Sequence, residues 1–310
     1  MAIAAELYGE NKSLLWGLCY RMTGNAADAE EIVQETFVKA LETPPRDMEK
    51  SLRPWLIKVA INLCRDLLRR RRKAPYVGPW LPSPIPTDDL QANAHREPES
   101  APEDSPLARY DMMESISVAF LLALEALPPA QRAVLLLRDV FDYTTCETAE
   151  ALGMTEANVK ITLHRARRSM RAYDKARAPS RLADQELMRS ALERFLLYLK
   201  TRDVEGLERL LTEDVVVVSD GGGEVKALLE VMRGREKVLI LVTRLYEAYR
   251  DVTQTSLCVL NGQPAVFVER QESRPDHASR YTMQCELDDM GHISRMNFVF
   301  APSKLAALKR

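Results

Sequence analysis

Ile32, Val33, Thr36, Phe37, Ala40 and Leu41 recur at the spacing of one helical face. Asn25 ahead of them suits an N-cap, and Asp28 is placed to meet the positive end of that helix. The opposite face carries Asp28, Glu31, Gln34, Glu35 and Lys39, a solvated acidic surface and a candidate partner site. Pro54 fits the first turn of a further helix, where its missing N–H costs nothing. Leu56, Val59, Ala60, Leu63 and Leu67 form the expected buried stripe of that helix. Trp55, Lys58, Asn62, Arg65 and Arg69 share another face. A ring for stacking, an amide for base edges and cations for phosphates are the groups that single-stranded DNA needs. The alternative is that Trp55 is core and the cations merely face solvent.

A second helical pattern follows Leu127-Pro128-Pro129-Ala130. QRAVLLLRDV is one helix, Thr145 to Leu152 a second, and Thr155 caps a third that runs on to Tyr173. Two short helices joined at Gly153-Met154 make a helix-turn-helix, whose second helix enters a major groove by its N-terminal part. Val159, Leu163, Ala166 and Met170 form its inner face; Lys160, Ile161, His164, Arg165 and Arg168 point elsewhere. Lys160 and Arg165 suit base edges or phosphates, and Ile161 suits a thymine methyl.

From about residue 183 two helical stretches lead into runs rich in Val, Thr, Phe and Tyr. Asn261-Gly262 and Asp288-Asp289-Met290-Gly291 separate pairs of such runs as hairpin turns. The expected architecture is multidomain, with two all-α modules and then an α+β domain built on a curved antiparallel sheet. Its boundaries fall at 1–75, a linker over 76–108, a second module over 109–178 and the α+β domain over 179–310. The linker is rich in proline (Pro79, Pro82, Pro84, Pro86, Pro98, Pro102, Pro106) and acidic in its later part.

Composition sharpens this picture. A hydrophobic fraction of 46% over 310 residues allows two or three cores. The net charge of −2 conceals basic runs at 69–73 and 165–171. No run of about 18 apolar residues occurs, and Met1 to Lys12 lacks the basic start and apolar core of a secretory signal. A cytoplasmic protein without membrane contact is expected. The five cysteines are scattered with no CxxC pair, so buried reduced thiols are expected rather than disulfides or a metal site. No cofactor is expected.

NAADAEEIVQETFVKAL with RPWLIKVAINLCRDLLRRRRK resembles region 2 of the extracytoplasmic-function sigma factors of RNA polymerase. ALPPAQRAVLLLRDVFDYTTCETAEALGMTEANVKITLHRARRSMR resembles their region 4. The resemblance spans about the first 175 residues and implies core RNA polymerase and promoter DNA as partners. It implies that Asp28, Glu31, Gln34 and Glu35 meet the β′ clamp helices, and that region 4 also meets the β flap. It places Trp55, Lys58, Asn62, Arg65 and Arg69 at the −10 element, with the loop Glu42 to Arg53 as a base pocket. Lys160, Ile161, His164, Arg165 and Arg168 fall at the −35 element; Ile161 stands where the family often has a small polar residue.

The stretch ERFLLYLKTRDVEGLERLLTEDVVVVSDGGGEV is similar to SnoaL-like domains, cone-shaped α+β folds. A subgroup of the sigma family carries this fusion, marked by a WLP motif, a DGGG motif followed by lysine, and a terminal NPDKL-type motif. Here these read Trp80-Leu81-Pro82-Ser83-Pro84; Asp220-Gly221-Gly222-Gly223-Glu224, with Lys226 two places late; and Ala301-Pro302-Ser303-Lys304-Leu305. The resemblance implies a regulatory contact through Trp80, Leu81, Pro82, Asp220, Gly221, Gly222, Gly223, Pro302, Lys304 and Leu305. It further implies that the fused domain packs on the sigma domains and modulates their activity in cis, with room for a small ligand in its pocket. From the residues alone, the glycines are either a hairpin turn between VVVVS and EVKAL or a contact point. The alternative function is a SnoaL-type cyclase or isomerase tethered to a DNA-binding module. Its candidate acid/bases are His277 and His292, neither placed mid-strand. A plain helix-turn-helix regulator leaves the acidic helix and the Trp55 face unexplained.

Overall fold

The computed structural model describes residues 2–43, 52–73, 76–87, 109–176, 182–248, 252–270 and 276–308. The chain divides into two compact units, 1–75 with 88–178, and 76–87 with 179–310. The first stretch of the linker thus belongs to the second unit.

The first unit is helical. α1 (Ala2–Thr23), α2 (Ala26–Glu42) and α3 (Arg53–Arg71) pack on one another. A 3₁₀ turn (Glu114–Ile116) leads into α4 (Val118–Glu125), α5 (Pro129–Asp139), α6 (Thr145–Leu152), α7 (Glu156–Ser169) and α8 (Arg171–Ala176). Asn25 caps α2, its side chain accepting from the amides of Ala27 and Asp28 at 2.9 and 3.2 Å. Ile32, Val33, Thr36, Phe37 and Ala40 are buried as the pattern requires, but Leu41 is 68% exposed in the last turn of the helix. α3 differs from expectation in its rotation. Leu56 and Ala60 are buried, but their companions are Ile57, Ile61, Cys64 and Leu68 rather than Val59, Leu63 and Leu67. Apolar residues occur nearly all round this helix, so periodicity alone does not select its inner face.

The two helical modules share buried polar bonds. Arg21 of α1 donates to Ser115 Oγ (2.8 Å) and to the Met112 carbonyl (3.0 Å). Arg132 of α5 donates to the Met22 carbonyl at 2.5 Å and pairs with Glu125. Each guanidinium belongs to a residue only 2% exposed. Burial lowers the Arg21 pKa to about 10.

The second unit has α9 (Leu182–Thr201), α10 (Val204–Leu210), β1 (Leu211–Asp220), β2 (Met232–Arg233), α11 (Arg235–Ala248), β3 (Val252–Leu260), β4 (Gln263–Arg270), β5 (Arg280–Leu287), β6 (Ile293–Val299) and α12 (Pro302–Leu305). The strands form one sheet in the order β2-β1-β6-β5-β4-β3. Both expected hairpins are present. Asn261 and Gly262, with φ of 52° and 74°, turn β3 into β4, and 288–291 turns β5 into β6. The sheet is mixed rather than wholly antiparallel, because β1 and β6 run parallel. EVKAL is not a strand; the partner of β1 on that side is the two-residue β2. Leu192, Phe195, Leu207, Val215, Val238, Met283, Met296 and Phe298 contribute to one apolar core shared by helices and sheet.

Candidate nucleic-acid interface and linker junction

The outer face of α2 keeps Glu31, Gln34 and Glu35 exposed. Asp28 is not free: its carboxylate is held by Arg71 at the end of α3. The exposed stripe continues into Val38, 49% exposed, and Leu41, positions the acidic pattern did not single out. Their spacing of four and seven residues beyond Gln34 was the available signal.

On α3, Lys58, Asn62 and Arg69 are exposed, while Trp55 and Arg65 are half-buried. Trp55 is thus neither sealed in core nor fully open. Arg69 pairs with Asp66 at 3.0 Å. Most of the loop Glu42 to Arg53, expected as a base pocket, lies outside the described residues. Arg53 itself donates to Asn11 Oδ1 at 3.2 Å.

The helix-turn-helix is built from caps. Thr144 and Glu147 form a capping box at α6, and Gly153 ends it in the left-handed region at φ 61°. Thr155 then caps α7 by accepting from the Asn158 amide. Val159, Leu163, Ala166 and Met170 are buried, which turns Lys160, Ile161, His164, Arg165 and Arg168 outward; Ile161 is 54% exposed. Arg167 behaves differently from its neighbours. It makes two bonds to Asp139 of α5, at 2.9 and 2.6 Å, and that carboxylate is buried. The bonds to Asp139 raise the Arg167 pKa. Arg167 therefore fixes α7 on α5. Its partner lies 28 residues away, so the sequence offered no sign of it.

In the second unit three motifs meet at one carboxylate. Asp220 accepts from the Tyr76 hydroxyl (2.6 Å), the Leu81 amide (2.7 Å), the Lys304 ammonium (2.6 Å) and the Gly222 amide (3.0 Å). Lys304 also donates to the Leu81 carbonyl at 2.5 Å. Trp80 is half-buried, whereas Leu81, Pro82 and Leu305 are buried. Pro302 is exposed and opens α12. Gly222 and Gly223 take φ of 60° and 75°, and a Cβ on Gly223 would stand 3.2 Å from Val77. A Cβ on Gly221 would fall 2.6 Å from the Val225 carbonyl, so side chains are excluded there. The glycines are turn and contact at once. Lys226 lies outside this junction and pairs with Asp276 at 3.6 Å. Further along, Ile85 and Asn261 exchange two bonds, and Thr87 bonds to Val259 and Gly262. The segment 76–87 is thereby tied down at both ends.

Two family models match the chain, Sigma-70 region 2 over residues 7–74 and Sigma-70 region 4 over 117–170. The ECF RNA polymerase sigma factor SigG of Mycobacterium tuberculosis is 34% identical over 262 residues, covering 80% of this chain and 68% of its own. The chain belongs to the ECF sigma factors. This sigma factor directs core RNA polymerase to promoters and so initiates transcription. It is also 30% identical over 259 residues to SigJ of the same organism, covering 82% of this chain and 77% of that one. The crystal structure of Mycobacterium tuberculosis SigJ matches its fold with a TM-score of 0.69 at 23% identity, over 98% of both chains. The likeness therefore includes the α+β unit beyond the two sigma regions.

The cysteines of the sigma factor are free. Cys19, Cys64 and Cys285 are buried as expected, but Cys146 is exposed and Cys258 half-buried. Among the described residues no helix is long and apolar enough to cross a membrane.

Proposed function

We propose that the sigma factor docks on the β′ clamp helices of core polymerase through Glu31, Gln34 and Glu35, with Val38 and Leu41 as an apolar extension. Asp28 serves chiefly to hold Arg71. Trp55, Lys58, Asn62, Arg65 and Arg69 engage the melted −10 element, and Lys160, Ile161, His164, Arg165 and Arg168 read the −35 duplex. Region 4 also meets the β flap. The observation that carries this division is the outward row on α7, which is exposed while Arg167 is held by Asp139.

The fused unit modulates activity in cis. Support comes from connectivity: it grips 76–87, the start of the segment joining region 2 to region 4, and so removes twelve residues from that tether. Effective concentration at two promoter elements depends on such a tether. The enzyme alternative gains no support from the two histidines. His292 lies in the β5–β6 turn, 3.4 Å from Asp288, and His277 lies before β5; both are half-buried and neither is on a strand.

The docking reading is tested by capture of core polymerase on the immobilised protein. Wild type is expected to retain the enzyme, and Glu31→Lys/Glu35→Lys to lose at least about tenfold through charge reversal. Equal retention by both refutes the docking face.

A further inference from the structure

One polar cluster in the second unit surrounds a buried ammonium group. The Lys304 Nζ sits 2.6 Å from Asp220 Oδ2 and 2.5 Å from the Leu81 carbonyl. It also lies 4.7 Å from the ring centroids of both Tyr76 and Trp80. Lys304 is 3% exposed and Asp220 0%. A carboxylate, a carbonyl and two aromatic faces are the groups that recognise an organic cation. The two oxygens demand N–H donors, which a quaternary ammonium lacks. The carboxylate is held in place independently of the lysine, by the Tyr76 hydroxyl and the Leu81 and Gly222 amides.

The lysine arrives from elsewhere in the chain. It is carried by α12, a four-residue helix 84 positions beyond Asp220, whereas the rings come from the 76–87 segment. Cage and occupant are thus separate pieces of chain brought together by folding.

We propose that Asp220, Leu81, Tyr76 and Trp80 form a binding site for a primary alkylammonium ion, for which the tail residue Lys304 is the ligand supplied in cis, and that occupancy of this site holds the 76–87 segment on the sheet. A tethered ligand has a high effective concentration, so a free amine competes poorly while the tail is in place. Removing the lysine leaves a buried carboxylate without a countercharge, which is strongly unfavourable. A free amine of the right length then has a site to fill. The proposal concerns a site within one unit and does not depend on how that unit affects transcription.

The test is hydrogen exchange of peptides covering 76–87 in the full chain, with n-propylammonium as the probe, since it matches the atoms that Lys304→Ala removes. Exchange in Lys304→Ala is expected to be about tenfold faster or more than in wild type. Propylammonium should slow it again in a saturable manner, beyond the effect of sodium or tetramethylammonium at equal ionic strength. The neutral double variant Asp220→Asn/Lys304→Met should show no specific response to propylammonium. Unchanged exchange in Lys304→Ala overturns the proposal. So does a propylammonium effect no greater than that of the control cations, or one equal in the double variant. If Lys304→Ala is too destabilised for the exchange measurement, the same titration is read as Tm, starting from low temperature, on Lys304→Met and Lys304→Ala. A specific rise in Lys304→Ala but not in Lys304→Met supports the site, because the methionine fills the space; no rise in either overturns it.

Discussion

Cys146 is the exposed thiol of this chain, near the start of α6. Burial pushes Cys258 up to about 11, and Cys285 up to about 12 with help from Glu286. At pH 8 both therefore stay almost wholly protonated, against about a quarter thiolate for an ordinary thiol. Cys19 is raised too, first by its contact with Cys64 and then by burial. Titration of the native protein with a disulfide reagent at pH 8 should therefore consume one thiol quickly, and the remaining four only after unfolding. Rapid reaction of two or more would contradict the packing around β3 and β5. The sign for stability follows from the same shifts. The folded protein holds these thiol protons more tightly than the unfolded chain. The associated stability is present below the ordinary thiol pKa and is lost as pH rises from about 9 toward 11–12. The sequence suggested five equivalent buried thiols; the placement of Cys146 in a cap region was not legible because α6 is short and its buried side is set by α7.

At the scale of elements, α7 contains basic residues of opposite use. Arg167→Ala leaves the buried Asp139 unpaired, which should cost about 2–3 kcal/mol once the partial exposure of Arg167 is allowed for. Lys160→Ala breaks no bond of this kind and should leave Tm within a degree or two. Its effect should fall on duplex binding, where each lost phosphate contact lowers the salt slope by about 1. Thermal unfolding and salt-dependent DNA binding of the two variants separate these roles. Equal stability loss in both would show that the outward row is structural. The outward set on α7 was readable in full, since a clean 3.6-residue period fixes its inner face. α3 was not, because Ile57, Ile61, Cys64 and Leu68 define an apolar stripe as good as the expected one. α11 escaped notice for a related reason: VLILVTRLY is rich in β-branched residues and resembles a strand, yet Val238 and Val242 bury one helical face. The parallel pairing of β1 with β6 joins residues such as Val216 and Arg295 that are far apart in the chain, and no local pattern encodes such a partner.

For the molecule as a whole, the motifs of the fused unit were legible as motifs but not as one site. Trp80-Leu81-Pro82, Asp220 with its glycines, and Lys304 are separated by more than 200 positions end to end, and only the fold brings them to a single carboxylate. The prolines of the linker contribute by favouring extended backbone, so the segment loses little entropy on being laid down. Binding of this segment by the second unit couples the fused domain to the tether between the two promoter-reading regions. The most direct test is in vitro transcription with core polymerase, comparing full-length protein, a chain truncated after Ser180, and no added factor. Promoter-specific transcripts should require this protein, and their yield should differ between the full-length and truncated chains. Transcripts independent of the protein would contradict its role in initiation, and equal yield from both chains would contradict control by the fused domain.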